Sequence, residues 1–274
     1  MTDAARADEV ERVALVTGAA RGIGAATVDA LVGRGYHVVA IDSCESDAPS
    51  RGPGVAYPLA SPADLQAVAA RHPERVTIQV ADVRDGEALV AAAELAMATL
   101  GRLDAAVAAA AVVIGGRPLW QTPQEHLRTL LDVDVLGVWN TAAACVPHML
   151  AGPDPGGCRF VAIASVAAHT GLFHLAGYNA AKHAVVGIVR GLAADLVGTG
   201  VTACAVSPGS TRTPMLTATA DLYGIDDPEA LAGHQLIHRL IEPGEIAEVV
   251  AMCCSRDGAV LNGSVVQAGG GFSS

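Results

Sequence analysis

Short runs of apolar residues, bounded by glycine, proline or charge, alternate along the chain with longer segments in which apolar residues return at helical spacing. The runs predict strands at RVALVTG (12–18), YHVVAID (36–42), RVTIQVADV (75–83), LDAAVAAAAV (103–112), CRFVAIAS (158–165), GVTACAVSPG (200–209) and NGSVVQAGG (262–270). Helices are predicted over 22–35 and near 86–100, 123–150, 176–198 and 244–254. Strand and helix repeated in this order predict an α/β fold with a doubly wound parallel sheet of about seven strands. The strand runs are continuously apolar rather than alternating, which fits strands covered by helices on both faces.

Two segments break the rhythm. Residues 43–72 form a Pro/Gly/Ser-rich insert between the second and third strands, and residues 208–242 follow the sixth. Long loops inside a compact α/β domain are usually lids or binding loops. Within the first, SPADL reads as a helix start with Ser61 as N-cap and Pro62 at N1.

Composition narrows the setting. The length suits one domain, 1–274, and apolar residues make up 51% of it with only 3% aromatic, so small aliphatic side chains must fill the core. A net charge of −11 offers no basic face for nucleic acid or an anionic membrane. Six scattered cysteines without a CxxC pair fit a reduced compartment. Residues 1–11 are polar and acidic, so no signal peptide is expected, and the apolar runs look too short or interrupted to span a membrane. These features lead to the expectation of a cytoplasmic protein. His234 and His238 have HxxxH spacing, but without a third ligand they are expected on a lid helix and no metal site is expected.

TGAARGIG, Thr17 to Gly24, follows the first strand and opens the first helix. Gly18 permits a tight turn, Gly22 and Gly24 let a diphosphate approach, and the helix offers free N–H groups and the positive end of its dipole. Asp42 closes the second strand, where an acid binds the two ribose hydroxyls of NAD and repels a 2′-phosphate. Arg21 is a contrary cue, since a cation there suits that phosphate; NAD is favoured over NADP.

The chain has one lysine among its 17 Lys and Arg, and it stands in YNAAK, four residues after Tyr178. That spacing puts Tyr178 and Lys182 on one helix face. A free tyrosine titrates near ~10 and is a poor base at neutral pH. An ammonium beside it stabilises the phenolate, and bringing the phenol down to neutral pH takes about 4 kcal/mol. Arginine is bulkier and planar where a point charge is needed. Ser165 ends the fifth strand, at the carboxyl edge where such sheets bind ligands, and its hydroxyl is placed to hold a substrate oxygen.

Together these residues resemble the short-chain dehydrogenase/reductase family over nearly the whole chain: TGAARGIG, Asp42, Asp82–Val83, Ser165, YNAAK and SPGSTRT. The resemblance implies a Rossmann-type sheet, often in a homotetramer. It implies Tyr178 as proton donor or acceptor, Lys182 on the nicotinamide ribose and Ser165 orienting substrate. It adds Ile23 and Ser43 to the cofactor contacts, Asp82 and Val83 near adenine, Ala108, Ala109 and Ala110 beside the dinucleotide, and Pro208, Gly209, Thr211 and Thr213 at the nicotinamide end. The chain departs from the family where NNAG becomes AAAA at 108–111, where an asparagine becomes Cys204, and where DGG becomes Gly269–Gly271. It also departs where the family's catalytic asparagine becomes Asp134. Asp134 is kept as a catalytic candidate, expected to be hydrogen-bonded or wet because an unpaired buried carboxylate is costly.

AAAAVVIGGRPLW, AAKHAVVGIVRGLAADL, SPGSTRTPML, HQLIHRLIEP and the insert after Asp42 are similar to mycofactocin-coupled short-chain dehydrogenases. That likeness implies tightly held NAD reoxidised in place by mycofactocin, with 43–72 over the cofactor and 208–242 as substrate lid. Val112, Ile114, Trp120, Leu172, Phe173 and 215–223 are expected to line the pocket, favouring a small apolar secondary alcohol or ketone. An ordinary carbonyl reductase with exchangeable NAD(P), and a catalytically silent dinucleotide-binding regulator, stay open as alternatives.

Overall fold

The structure, a computed structural model, describes residues 11–46, 48 and 51–273. The polar segment 1–10 and residues 47, 49 and 50 of the insert lie outside the described residues.

Among the described residues, seven strands form one parallel sheet: β1 (Arg12–Thr17), β2 (Tyr36–Asp42), β3 (Val76–Val80), β4 (Ala105–Ala108), β5 (Arg159–Ile163), β6 (Thr202–Pro208) and β7 (Val265–Ala268). Their order is β3-β2-β1-β4-β5-β6-β7, so the winding reverses between β1 and β4. Ligands of open α/β sheets bind in the crevice that such a reversal leaves at the carboxyl ends. Pairing Thr17 with both Ile41 and Ala108 brings the ends of β1, β2 and β4 level there.

Successive strand residues feed two cores, one on each sheet face. Val13, Leu15, Val39 and Ile41 belong to one; Ala14, Val16, Val38 and Ala40 belong to the other. Alternation of Cβ direction along a strand produces this split, and both faces being buried explains the unbroken apolar runs.

Around the sheet lie α1 (Gly22–Gly33), α2 (Pro62–Arg71), α3 (Gly86–Leu100), α4 (Gln124–Leu130), α5 (Gly137–Ala151), α6 (Ala176–Asp195), α7 (Pro214–Tyr223) and α8 (Pro243–Cys254). Ser61 caps α2 as its sequence predicts, in a reciprocal pair with Asp64. The predicted helix at 123–150 is interrupted: α4 and α5 join through a π turn, Leu131–Leu136. A π turn re-aims the side chains it carries. Here it buries Val133 and Asp134 while Asp132 stays exposed.

Contrary to expectation, the whole run Gln124–Ala151 is long and apolar enough by composition to cross a membrane. Half of its most apolar stretch is buried, with α5 packed on α3 and β4 and α4 on α6, which is how a core helix packs.

Candidate active site

At the winding reversal, glycine is needed where backbones nearly touch. Gly18 has φ +65°, and a Cβ on it would stand 2.7 Å from the Ala110 backbone; one on Gly24 would stand 2.0 Å from the Gly18 carbonyl. The first N–H groups of α1 have no side-chain cap, since Arg21 at the N-cap does not supply one. They therefore remain available to an anion. The AAAA segment has no polar side chains of its own to hold its turn. Thr17 Oγ1 accepts hydrogen bonds from Ala109 N–H (3.1 Å) and Ala110 N–H (3.3 Å) and fixes the turn from the β1 side.

Asp42 is oriented by its own loop. Its carboxylate accepts Ala20 N–H on one oxygen and Cys44 N–H on the other, each at 3.1 Å. Burial raises its pKa and these two donors oppose the rise. Each oxygen keeps a free lone pair, so the group can still receive ribose hydroxyls. Asp82 is bound by the Arg84 guanidinium, which also pairs with Glu45 of the insert at 3.1 Å. Arg21, the contrary cue for a 2′-phosphate, donates instead to the Pro58 carbonyl at 2.7 Å.

The proton-transfer candidates meet at the other end of the cleft. Tyr178 and Lys182 project from one face of α6, with the Lys182 ammonium 5.6 Å from the centre of the Tyr178 ring. Ser165, just after β5, accepts Ala167 N–H at 3.1 Å, and its hydroxyl lies against the phenol. Lys182 is only 2% exposed and donates to the Ile163 carbonyl at 3.2 Å. Its second partner is Asp134, whose Oδ2 lies 3.4 Å from Nζ, while Oδ1 accepts Val112 N–H at 2.9 Å. The expectation that Asp134 is hydrogen-bonded is met at Oδ1; Oδ2 has no hydrogen bond and is ion-paired to Lys182, and the residue is fully buried. Burial pushes the Asp134 carboxyl up and Lys182 restrains it; burial works against the Lys182 charge, but Asp134 and Tyr178 reverse the effect and leave its pKa raised. Burial also raises Tyr178, with Lys182 opposing and Asp134 adding to the rise.

One cavity of about 590 Å3 joins the two ends. Gly18, Arg21, Gly22, Ile23, Gly24, Asp42, Ser43, Asp82, Val83, Ala109, Ala110, Ser165, Tyr178, Lys182, Pro208, Gly209, Thr211 and Thr213 line it. Two expected site residues do not. Ala108 is 2% exposed inside β4, and Asp134 stands behind Lys182 rather than on the wall. The glycine cradle, uncapped α1 and Asp42 fit a dinucleotide in this cleft.

Beyond Tyr178 the wall is mostly apolar: Val112, Leu172, Phe173, Met215 and Tyr223, joined by Leu231 and Phe272, which the sequence did not single out, and by His234, which it placed only on a lid helix. Ile114 and Trp120 are corrections. Ile114 packs under Gly54 of the insert, and Trp120 is 81% exposed, away from the cavity. His234 and His238 do not share a helix face either. His234 closes a 3-10 segment, and His238 sits in a turn with φ +51°.

The described part of the insert makes a strap. Ser46 N–H donates to Ala60 O and Leu59 N–H donates to Ser46 O, both at 2.9 Å, closing its base. Its far side reaches α4, where Thr129 donates to the Pro53 carbonyl at 3.0 Å. Tyr57, unremarked in the sequence, is pinned by Val113 N–H at 3.0 Å and lines the cavity.

A family profile described as enoyl-(acyl carrier protein) reductase matches residues 18–273. A (−)-trans-carveol dehydrogenase of Rhodococcus erythropolis is 36% identical over 75% of this chain and 73% of that protein. A cis-4-hydroxycyclohexanecarboxylate dehydrogenase of Sinomonas cyclohexanicum is 31% identical over 96% of each. The crystal structure of a carveol dehydrogenase from Mycobacterium avium in complex with NAD superposes with a TM-score of 0.85 at 28% identity, over 94% of this chain and 97% of that one.

Proposed function

The chain belongs to the short-chain dehydrogenase/reductase family, and from that premise we propose that it interconverts a small hydrophobic secondary alcohol and its ketone using NAD held beneath the strap. It is an NAD-dependent oxidoreductase of CH–OH groups. The convergence of Ser165, Tyr178 and Lys182 where the cleft wall turns apolar carries the finer reading. It also speaks against a catalytically silent binder, which has no need of a buried lysine beside a tyrosine.

Bound NAD supplies the hydride acceptor for oxidation, and the glycine cradle with α1, Asp42 and Lys182 would hold it. Ser165 accepts Ala167 N–H, so its single hydroxyl proton is what it has to offer, and that hydrogen bond turns from the phenol oxygen to the substrate oxygen when substrate binds. Tyr178 takes the carbinol proton in oxidation and returns it in reduction, and Lys182 stabilises the phenolate between. Carveol and hydroxycyclohexanecarboxylate are both ring alcohols, which supports an alicyclic substrate for an apolar pocket. A panel of alicyclic, terpenoid and steroid alcohols set against polyols tests this, with turnover expected for ring alcohols; turnover of polyols alone sinks it.

The strap supports slow cofactor exchange and reoxidation in place, with mycofactocin as the external electron carrier. Its attachments at Arg21, Arg84, Val113 and Thr129 must release before NAD can leave. NAD is expected to co-purify and survive dialysis, and free NAD to support few turnovers until an acceptor dye or mycofactocin is added. Arg21→Ala, which frees Pro58, should speed loss of labelled NAD roughly tenfold. Rapid exchange in the unaltered protein, with steady turnover on free NAD, rules out the strap as a clamp. For the assembly we hold to a homotetramer: Leu131, Leu136, Trp139 and Leu150 along α4–α5 are exposed, and a partner subunit would cover them.

A further inference from the structure

Two fully buried ionisable side chains meet at the wall of the cleft, and only one of them touches it. Lys182 lines the cavity; Asp134 does not. The carboxylate is held there by two independent contacts, Val112 N–H at 2.9 Å and Lys182 Nζ at 3.4 Å. A structural role alone would be met by a neutral side chain accepting the Val112 amide. The negative charge is the surplus feature, and its partner is the cation that stabilises the Tyr178 phenolate.

We propose that Asp134 is a positioning residue for proton transfer, acting through Lys182: its carboxylate divides the lysine's charge, so Tyr178 keeps its proton to a higher pH than it would opposite an asparagine. This rests on Tyr178 being the proton-transfer group, and the test separates the two ideas.

Electrostatics around the phenol come from four sides. Lys182 on α6 favours the phenolate, and Asp134 on the π turn opposes it. Ser165, after β5, favours the phenolate by hydrogen bonding. Tyr57 of the strap stays neutral because burial raises its own pKa. With Lys182 and Asp134 both ionised, their charges cancel, and ionising Tyr178 leaves a net negative charge in a buried site. With a neutral residue at 134, the same ionisation would complete a Lys–Tyr pair. A nearby like charge moves a titration by about one pH unit or more, and Asp134 stands 3.4 Å from the ammonium that faces the phenol. The geometry thus biases the site towards a protonated Tyr178, the form that donates to a ketone, and makes alcohol oxidation an alkaline reaction.

Asp134→Asn keeps an oxygen for Val112 N–H and removes the charge. The readout is the ultraviolet phenolate band of the holoenzyme, taken as the difference between each protein and its Tyr178→Phe counterpart across pH. The midpoint is expected to fall by about one pH unit or more in Asp134→Asn. The acid limb of the oxidation profile should move by the same amount with little change in KM. An unchanged or higher midpoint overturns the proposal, as does a loss of kcat that is uniform across pH. In the reduced holoenzyme the nicotinamide is uncharged, and the unaltered protein is expected to titrate Tyr178 at or above a free tyrosine's value, near ~10. A midpoint clearly below that overturns the proposal even if no variant at 134 folds. If instead Tyr178→Phe keeps full activity, the functional reading fails while the titration result stands.

Discussion

Replacing Tyr178 with phenylalanine should lower kcat by at least ~10²-fold, the usual contribution of a lost general acid–base. The ring stays, so packing against the core that buries Tyr178 is kept. Only the hydroxyl goes, and with it the contact to Ser165. NAD retention and thermal stability are therefore expected to be near those of the parent. The pH dependence carries the sign of the mechanism. Burial holds Tyr178 above the ordinary tyrosine value against the pull of Lys182. Oxidation needs the phenolate, so its rate should climb with pH towards that titration; reduction needs the phenol and should fall beyond it. The phenylalanine protein should lose both dependences along with the rate. Single-turnover reduction of bound NAD by an accepted ring alcohol, followed from neutral to alkaline pH, reads all of this. An equal rate in the variant refutes the role of Tyr178.

The sheet was legible because parallel strands covered on both faces need unbroken apolar sequence, and every predicted run contains a strand. The start of α2 was legible because Ser61 and Pro62 act within a single turn. The π turn at 131–136 was not. It depends on what packs against the helix rather than on a local signal, and the surrounding apolar spacing reads as one helix. The same holds for 228–238, where HxxxH suggested a helix face and the chain instead makes a 3-10 segment and a left-handed turn.

Site chemistry followed a similar division. The placement of Gly18, Gly24, Asp42, Ser165, Tyr178 and Lys182 at one cleft was readable because each stands at a strand end, at a helix start or on a helix face that the pattern already located. Tyr57 was unreadable because it sits in a loop with no periodicity, and only the folded strap carries it to Val113. Trp120 shows the converse, since an aromatic in a loop looks like a pocket residue whichever way the loop points. Thr17, which supports the AAAA turn, could have been suspected from its place at the end of β1. The Asp134–Lys182 pair joins the π turn to α6, and sequence showed only that the carboxylate had to be hydrogen-bonded or wet.

Lys182→Arg should cut kcat by at least ~10²-fold while retaining a positive charge, and it isolates why the chain's one lysine stands here. The site is closed around an ammonium: the Ile163 carbonyl is 3.2 Å away, Asp134 Oδ2 is 3.4 Å away, and the residue is 2% exposed. A guanidinium is larger and planar, so it must displace one of these partners or carry its charge away from the phenol. Overpacking of this kind costs about 1–3 kcal/mol of stability. Weakening the hold on the phenolate by about 3 kcal/mol would account for the fall in rate at neutral pH. Lys182→Met separates packing from charge. It leaves the Asp134 carboxylate buried and alone, which costs ~3–5 kcal/mol when one member of a buried pair is removed. Adding Asp134→Asn to Lys182→Met should recover most of that stability, because the orphaned charge is gone, yet recover none of the turnover. Thermal unfolding and single-turnover rates on the four proteins of this cycle measure both effects. If Lys182→Arg turns over normally, or if the double variant regains activity along with stability, the lysine is a structural ion-pair partner and not the group that prepares Tyr178.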